Sequence, residues 1–329
     1  MSDDSQDKLQ NLAALSEEAI RTELEARARP ASAGPKGLFA ISDDPGFDGI
    51  DTETLVKALR HKQSVVYGVD DRKDYYEIDS MGAKANAESV VALFDAGEVI
   101  DQGDGTSRLG VETFKTVYQL CDGETFAEQP CGAFCSGVLI APDVVASAGH
   151  CVDPWYLSRV ARIRFVFGFR LTARESPIVV IPNSSIYSGK EIIHHRLTRN
   201  ATDWSLIRLD RPVINAAVVK LRTKGIIEAN TGVYVIGHPC GLPLKYAPGA
   251  HVTNNSAKTF FTANLDTYGG NSGSPVFNAN DEVEGLLVRG ETDFVRRGKC
   301  RVSLVIPTSG AGGEDVTRIS EVRPFIPKS

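Results

Sequence analysis

The segment Asp266-Thr267-Tyr268-Gly269-Gly270-Asn271-Ser272-Gly273-Ser274-Pro275 sets a hydroxyl nucleophile among residues that bend a chain tightly. Glycine passes where a Cβ would clash and takes positive φ without strain. A turn built this way can aim several N–H groups into one concavity, where a negative oxygen is stabilised. Acyl transfer needs that arrangement, a nucleophilic oxygen beside donors for the oxyanion of a tetrahedral intermediate. Ser272 is the candidate nucleophile, and the N–H groups of Gly270 and Ser272 are the candidate donors. An ordinary surface turn has the same composition, because Gly, Asn, Ser and Pro all favour turns. The segment therefore needs partners elsewhere in the chain.

Two other segments offer them. From Cys135, an apolar strand turns at Pro142-Asp143 and returns through Val144-Val145-Ala146-Ser147-Ala148-Gly149 to His150-Cys151. Small residues let backbone approach closely and leave His150 confined. A general base must lie within hydrogen-bond reach of the proton it takes, and a staple between Cys135 and Cys151 would hold the imidazole in place. A core histidine beside a structural disulfide would read the same way. In Thr202-Asp203-Trp204-Ser205-Leu206-Ile207-Arg208-Leu209, Asp203 leads into an apolar strand. A buried carboxylate needs a strong partner, and an imidazole N–H would serve; a turn aspartate is the other reading.

The elements that must carry these groups are short. From Ser64 onward, apolar runs rich in Val, Ile and Phe are bounded by Gly, Pro, Asn and Asp. Strands are expected over 89–94, 114–120, 137–140, 163–169, 178–181, 205–209, 233–237, 260–263, 283–288 and 301–306. Many short strands without long intervening helices predict an all-β barrel or sandwich. A final helix is expected over 315–322, with Val316, Ile319 and Val322 on one face. Residues 1–64 differ: helices are expected over 7–29 and 51–61, joined by the linker-like Pro30-Ala31-Ser32-Ala33-Gly34-Pro35. That region reads as a flexible extension, a pro-segment or a docking arm. No internal repeat is visible.

Composition bounds the partners. Lys and Arg number 36 against 42 Asp and Glu, for a net charge of −6. Without a basic run interleaved with aromatics, nucleic acid is a poor partner. No apolar run reaches the ~18–20 residues that span a bilayer. The start, Met1-Ser2-Asp3-Asp4-Ser5, lacks the basic and apolar regions of a secretory signal. This places the chain in the cytoplasm by default, unless it leaves by another route or its precursor is longer. The six cysteines point instead to an oxidising, secreted or periplasmic setting. Zinc is the rival for Cys121, Cys131, Cys135 and Cys151, but no Cys-x-x-Cys pair occurs. A Cys135–Cys151 disulfide is favoured; Cys121, Cys131, Cys240 and Cys300 remain unassigned.

Taken in order, His150, Asp203 and Ser272 resemble the trypsin-like serine proteases of the chymotrypsin fold, whose triad runs His, Asp, Ser along the chain. The family's Ala-Ala-His-Cys is Ala148-Gly149-His150-Cys151 here, and its Asp-x-Ala-Leu is Asp203-Trp204-Ser205-Leu206. Its Gly-Asp-Ser-Gly-Gly-Pro is Gly270-Asn271-Ser272-Gly273-Ser274-Pro275. That last form is more similar to the bacterial glutamyl endopeptidase branch. Val66-Tyr67-Gly68-Val69-Asp70-Asp71-Arg72 resembles the mature start in the same branch. The resemblance covers roughly residues 65 to 310.

The resemblance implies two packed six-stranded antiparallel β-barrels, the first over about 65–212 and the second over about 213–310, with a helical N-terminal extension (1–64) and a short C-terminal helix. It implies a serine endopeptidase acting on proteins or peptides without metal or cofactor. Asp266, six residues before Ser272, would floor the primary specificity pocket, and Gly290 would leave room for a long Arg or Lys side chain. Leu287 stands where the glutamyl branch carries a histidine, which weighs against Glu specificity. Arg289 could pair with Asp266, and Asp266 could equally be a structural turn carboxylate. Asn271 replaces the aspartate that receives a new N-terminus in trypsin-like zymogens. Activation would then follow cleavage near Arg60 or Lys62, with the released N-terminus buttressing the site by hydrogen bonds. The alternatives are a catalytically silent binding module on a protease scaffold and an esterase. His61, His194, His195, His238 and His251 carry no motif and read as loop residues.

Overall fold

The computed structural model describes residues 66–67, 70–152, 160–174, 179–198, 202–267, 269–289, 294–306 and 313–327. The described residues all belong to one compact unit, Ser64–Ser329. The helices expected over 7–29 and 51–61 and their linker lie outside the described residues.

Six strands close the first barrel: β1 (Val90–Asp95), β2 (Cys135–Ala141), β3 (Val144–Ser147), β4 (Ile163–Phe167), β5 (Ile186–Leu197) and β6 (Asp203–Leu209). They pair antiparallel in the order β1-β2-β3-β6-β5-β4, and β4 returns to β1. The second barrel uses β7 (Gly232–Gly237), β8 (Lys245–Asn254), β9 (Phe260–Ala263), β10 (Pro275–Asn278), β11 (Glu282–Arg289) and β12 (Glu314–Arg318). Its order is β7-β8-β9-β12-β11-β10, closing from β10 to β7. The two barrels thus repeat one connection order, although their sequences show no repeat.

Alternation along the strands explains why they read as unbroken apolar runs. Successive side chains point to opposite faces of a sheet. On β7, Val233 and Val235 enter the second barrel's interior with Phe261, Val276 and Val316. Their neighbours Tyr234 and Ile236 face the first barrel, where they join Val138, Ala146, Trp204 and Leu206. On β6 the same period sends Ile207 and Leu209 inward with Leu93, Leu139 and Phe165, and Trp204 and Leu206 outward to the second barrel. Both faces are buried, so both are apolar. Each such side chain removed from water is worth roughly 1.5–3 kcal/mol, against about 1 kcal/mol net for a typical hydrogen bond. Apolar packing therefore dominates the barrel–barrel junction.

Two expectations fail locally. Residues 114–120 do not form a strand: Phe114–Tyr118 is a short helix, whose first turn is capped by Thr113 Oγ1 accepting from the Thr116 N–H at 3.2 Å. The expected helix over 315–322 starts late. Glu314–Arg318 is β12, where Val316 and its neighbours pair with β9 and β11, and the helix is Ile319–Val322. His194 and His195 lie in β5 and His251 in β8, so these three are strand residues. His238 is buried where β7 ends, and His61 lies outside the described residues.

The cysteines fall into three pairs by position. Cys135 and Cys151 form a disulfide, as favoured from the sequence, and so do Cys121 and Cys300. Cys131 and Cys240 remain thiols. Before the first barrel, Val66–Tyr67 pairs in parallel with Val305–Ile306, and Lys73–Asp74 pairs with Lys245 and Tyr246 of β8. Among the described residues, no helix is long and apolar enough to cross a membrane.

Candidate active site

His150 follows β3 in a single 3-10 turn, Gly149–Val152, and Asp203 is the first residue of β6. β3 and β6 are paired, which brings the two together across 53 residues of sequence. His150 Nδ1 lies 2.7 Å from Asp203 Oδ2, and both side chains are nearly fully buried, at 2% and 1% exposure. The other carboxylate oxygen, Oδ1, accepts from the Gly149 N–H at 2.6 Å and from the His150 N–H at 3.1 Å. A buried carboxylate satisfied by several N–H donors does not carry the penalty of an isolated charge. It also favours the tautomer with a proton on Nδ1, leaving Nε2 as the basic atom. His150 Nε2 is buried and has no hydrogen-bond partner among the described residues.

Residue size at 149 is forced. A Cβ on Gly149 would overlap the Arg196 carbonyl and sit 3.0 Å from Asp203 Oδ1. Glycine alone lets the turn approach β6 closely enough for its N–H to reach the carboxylate. Three side chains that the sequence did not single out hold this corner. His195 Nε2 lies 2.9 Å from the Gly149 carbonyl. Ser205 Oγ donates to the Ala148 carbonyl at 3.0 Å. From the second barrel, Thr317 Oγ1 donates to the Asp203 carbonyl at 3.1 Å.

Ser272, 5% exposed, sits in the loop between β9 and β10. Its carbonyl accepts from the Ser136 N–H at 2.9 Å, and the Cys151 disulfide sulfur lies 3.7 Å from the same oxygen. Gly273, at φ +87°, donates to the Leu287 carbonyl at 2.7 Å, and Leu287 donates back to the Ser274 carbonyl at 2.9 Å. A Cβ on Gly273 would overlap Ser136 O and lie 2.9 Å from the Ala148 nitrogen. The loop is therefore pressed onto the two segments that lead to Cys135 and His150. No residue at 273 with a side chain fits that approach.

The Gly270 N–H, one candidate oxyanion donor, is given no acceptor by any described residue, and Gly270 holds φ +81°. The Cys240 N–H donates to the Gly269 carbonyl. Asn271 is 2% exposed and locally satisfied: Nδ2 donates to Thr267 Oγ1, and Oδ1 accepts from Ser274 Oγ at 2.7 Å. Asn271 is thus braced within its own loop. His238 supports the same corner, its N–H donating to Ser136 Oγ at 2.9 Å and its Nδ1 lying 3.1 Å from Leu242 O. Burial pushes its imidazole down to about 3, so it is neutral.

Asp266 is buried at 6% exposure and accepts from the Asp71 N–H at 3.3 Å. Gly290 and Tyr268 lie outside the described residues, as does the side chain of Arg289. Ligand atoms of Cys135, His150 and Cys151 cluster within 4.8 Å, but both sulfurs are consumed by the disulfide and cannot serve as thiolate ligands.

Residues 135–286 match the family model of a trypsin-like peptidase domain. Among solved structures, the chain is similar to a Glu endopeptidase in complex with MPD, at 19% identity and a TM-score of 0.46, over 80% of this chain and 97% of that one. It is also similar to the VesB protease of Vibrio cholerae, at 16% identity and a TM-score of 0.47, over 79% of this chain and 67% of that one. No curated protein matches the chain.

Proposed function

On the premise of a trypsin-like serine endopeptidase domain, we propose that this chain hydrolyses peptide bonds through Ser272, His150 and Asp203, with an acyl-enzyme intermediate. The supporting observation is the buried His150 Nδ1–Asp203 Oδ2 contact of 2.7 Å, set beneath a loop that holds Ser272 by hydrogen bonds from both barrels. Asp203 keeps the proton on Nδ1 and stabilises the imidazolium. His150 Nε2 takes the Ser272 hydroxyl proton as Oγ attacks the scissile carbonyl. The Gly270 and Ser272 N–H groups receive the developing oxyanion. His150 then protonates the leaving amine, and water repeats the sequence on the acyl-enzyme.

Finer points extend this reading. A preference for Arg or Lys before the scissile bond rests on the buried carboxylate of Asp266, six residues before the nucleophile. Residues 1–64 act as a pro-segment or docking arm, and intact-mass measurement of the active enzyme tests this: full activity with residues 1–64 attached excludes a pro-segment.

The deciding experiment is reaction with an organophosphonate serine probe, followed by intact mass and peptide mapping. A single adduct on Ser272, absent from Ser272→Ala, is the expected result. No adduct on the chain, with or without residues 1–64, would favour a silent binding module. Cleavage of a protein substrate separates a peptidase from an esterase.

A further inference from the structure

A second acidic residue meets Asp266, and it comes from the start of the domain. The segment 70–77 is bound to the second barrel by Lys73–Asp74, which pairs with β8. Arg72 of this segment and Lys245 of β8 are committed to other partners. Arg72 grips Asp70 through Nε and Nη2, each at 2.7 Å. Lys245 Nζ bonds Asp74 Oδ1, Gln129 Oε1 at 2.7 Å and the Pro243 carbonyl at 3.1 Å. Asp71, between them, is turned to the loop that carries Ser272. Its N–H donates to Asp266 Oδ2 at 3.3 Å, and its Oδ1 is buried with no hydrogen-bond partner among the described residues. On the other side, Gly249 leaves the carboxyl just enough room, since a Cβ there would lie 2.6 Å from Asp71 Oδ2.

The Asp71 and Asp266 side chains are also hydrogen-bonded to each other, and two carboxyl groups in such contact do not both ionise readily; they hold one proton between them. We infer that Asp71 is a positioning residue for the loop 264–274, sharing a proton with Asp266 so that a carboxylic acid–carboxylate hydrogen bond fixes the loop at its base. The inference rests on reading Ser272 as the nucleophile. Asp266 adjoins Thr267, whose Oγ1 accepts from Asn271, so a shift at the base is passed to the residue beside Ser272. Burial, then the Asp266 charge, push the Asp71 carboxyl up to about 7. The other groups facing it are Asp70, which adds to the shift, Arg72, which opposes it, and Tyr246 of β8, whose hydroxyl is itself pushed up by burial and by Asp71. Ionising both carboxyls as pH rises would set like charges against each other and release the loop.

The test uses the full chain in three forms: wild type, Asp71→Asn and Asp71→Ala. Asparagine keeps a donor toward Asp266 at every pH; alanine removes it. Two readouts are taken from acid to alkaline pH: the rate of phosphonate labelling at Ser272, and hydrogen exchange of the 264–274 peptide, corrected for intrinsic rates. In wild type, labelling should pass through a maximum and fall by about tenfold on the alkaline side, the scale of one lost charge-assisted hydrogen bond. Loop protection should fall over the same range. Asp71→Asn should keep its labelling rate and protection into the alkaline range, and Asp71→Ala should lose protection at all pH values. An alkaline fall in labelling that persists in Asp71→Asn, or wild-type loop protection that ignores pH, would overturn the inference. Absent labelling of wild type with the exchange step intact would remove the serine-peptidase reading and leave the carboxyl pair supported.

Discussion

The Ser136 N–H donates to the Ser272 carbonyl at 2.9 Å, so the strand that carries Cys135 is hydrogen-bonded directly to the candidate nucleophile. Cys135 is bonded in turn to Cys151, the residue after His150. One short path, His150 to Cys151 to Cys135 to Ser136 to Ser272, ties the candidate base to the candidate nucleophile through the first barrel. Removing the disulfide with Cys135→Ser and Cys151→Ser should cost about 3 kcal/mol by the loop-entropy scale for 16 residues of separation. It should also slow phosphonate labelling, because the tie between base and nucleophile slackens. Denaturant unfolding and labelling rate, measured on the same variant, check both parts.

Substitutions at the triad should separate chemistry from fold. Ser272→Ala and His150→Ala should each nearly abolish peptide hydrolysis, and Asp203→Asn should lower kcat by about 10⁴ through the wrong imidazole tautomer. Ser272→Ala should unfold at the temperature of wild type. The measurement is kcat/KM on a protein-derived peptide alongside a melting curve.

Gly149→Ala tests the close approach to β6. Its Cβ would meet the Arg196 carbonyl, so the turn must retreat and the N–H bond to Asp203 lengthen. Destabilisation of about 1–3 kcal/mol is expected for overpacking, with a larger fractional loss of activity than of folded protein. Activity titrated against the folded fraction would show whether the two losses separate.

The Asp71 carboxyl gives stability a defined pH slope. Folded, it is pushed up to about 7, whereas an unfolded aspartate titrates near ~3.9. Between those values the native chain binds more protons than the unfolded one. This contribution to stability therefore falls as pH rises through that window and levels off above it. Melting temperatures of Ser272→Ala across pH, with and without Asp71→Asn, should differ by that slope.

Burial alone pushes the Cys131 thiol up to about 12. The native chain should therefore resist alkylation at Cys131 at mildly alkaline pH, where exposed thiols react. Unfolding without reductant should expose two reactive thiols, Cys131 and Cys240, while the two disulfides stay closed. Counting alkylated cysteines by mass before and after denaturation checks this.

The candidate site residues stood out because each lies in a distinctive local setting. Gly-Asn-Ser-Gly, His-Cys after small residues, and an aspartate opening an apolar strand are all short-range signals. The strand-rich architecture was legible in the same way, since β1, β6, β7 and β11 are short apolar runs with both faces buried. Residues 114–120 misled because their Val, Tyr and Phe suit a strand, while the Thr113 cap and packing of Phe114 with Leu120 and Cys131 make a helix. β12 was missed because its polar residues, Glu314 and Thr317, are buried by pairing with one strand on each side, which no local pattern announces. Ser136, His195 and Asp71 gave no signal at all. Their partners lie 46 to 195 residues away, and only the closed barrels bring them there.

The Cys121–Cys300 bond joins positions 179 residues apart, with strands β2 to β11 between them in sequence. Any single cut between them leaves the two fragments covalently attached. Such a nicked molecule would run as one band without reductant and gain only the mass of one water. It would separate into two chains only when the disulfides are reduced.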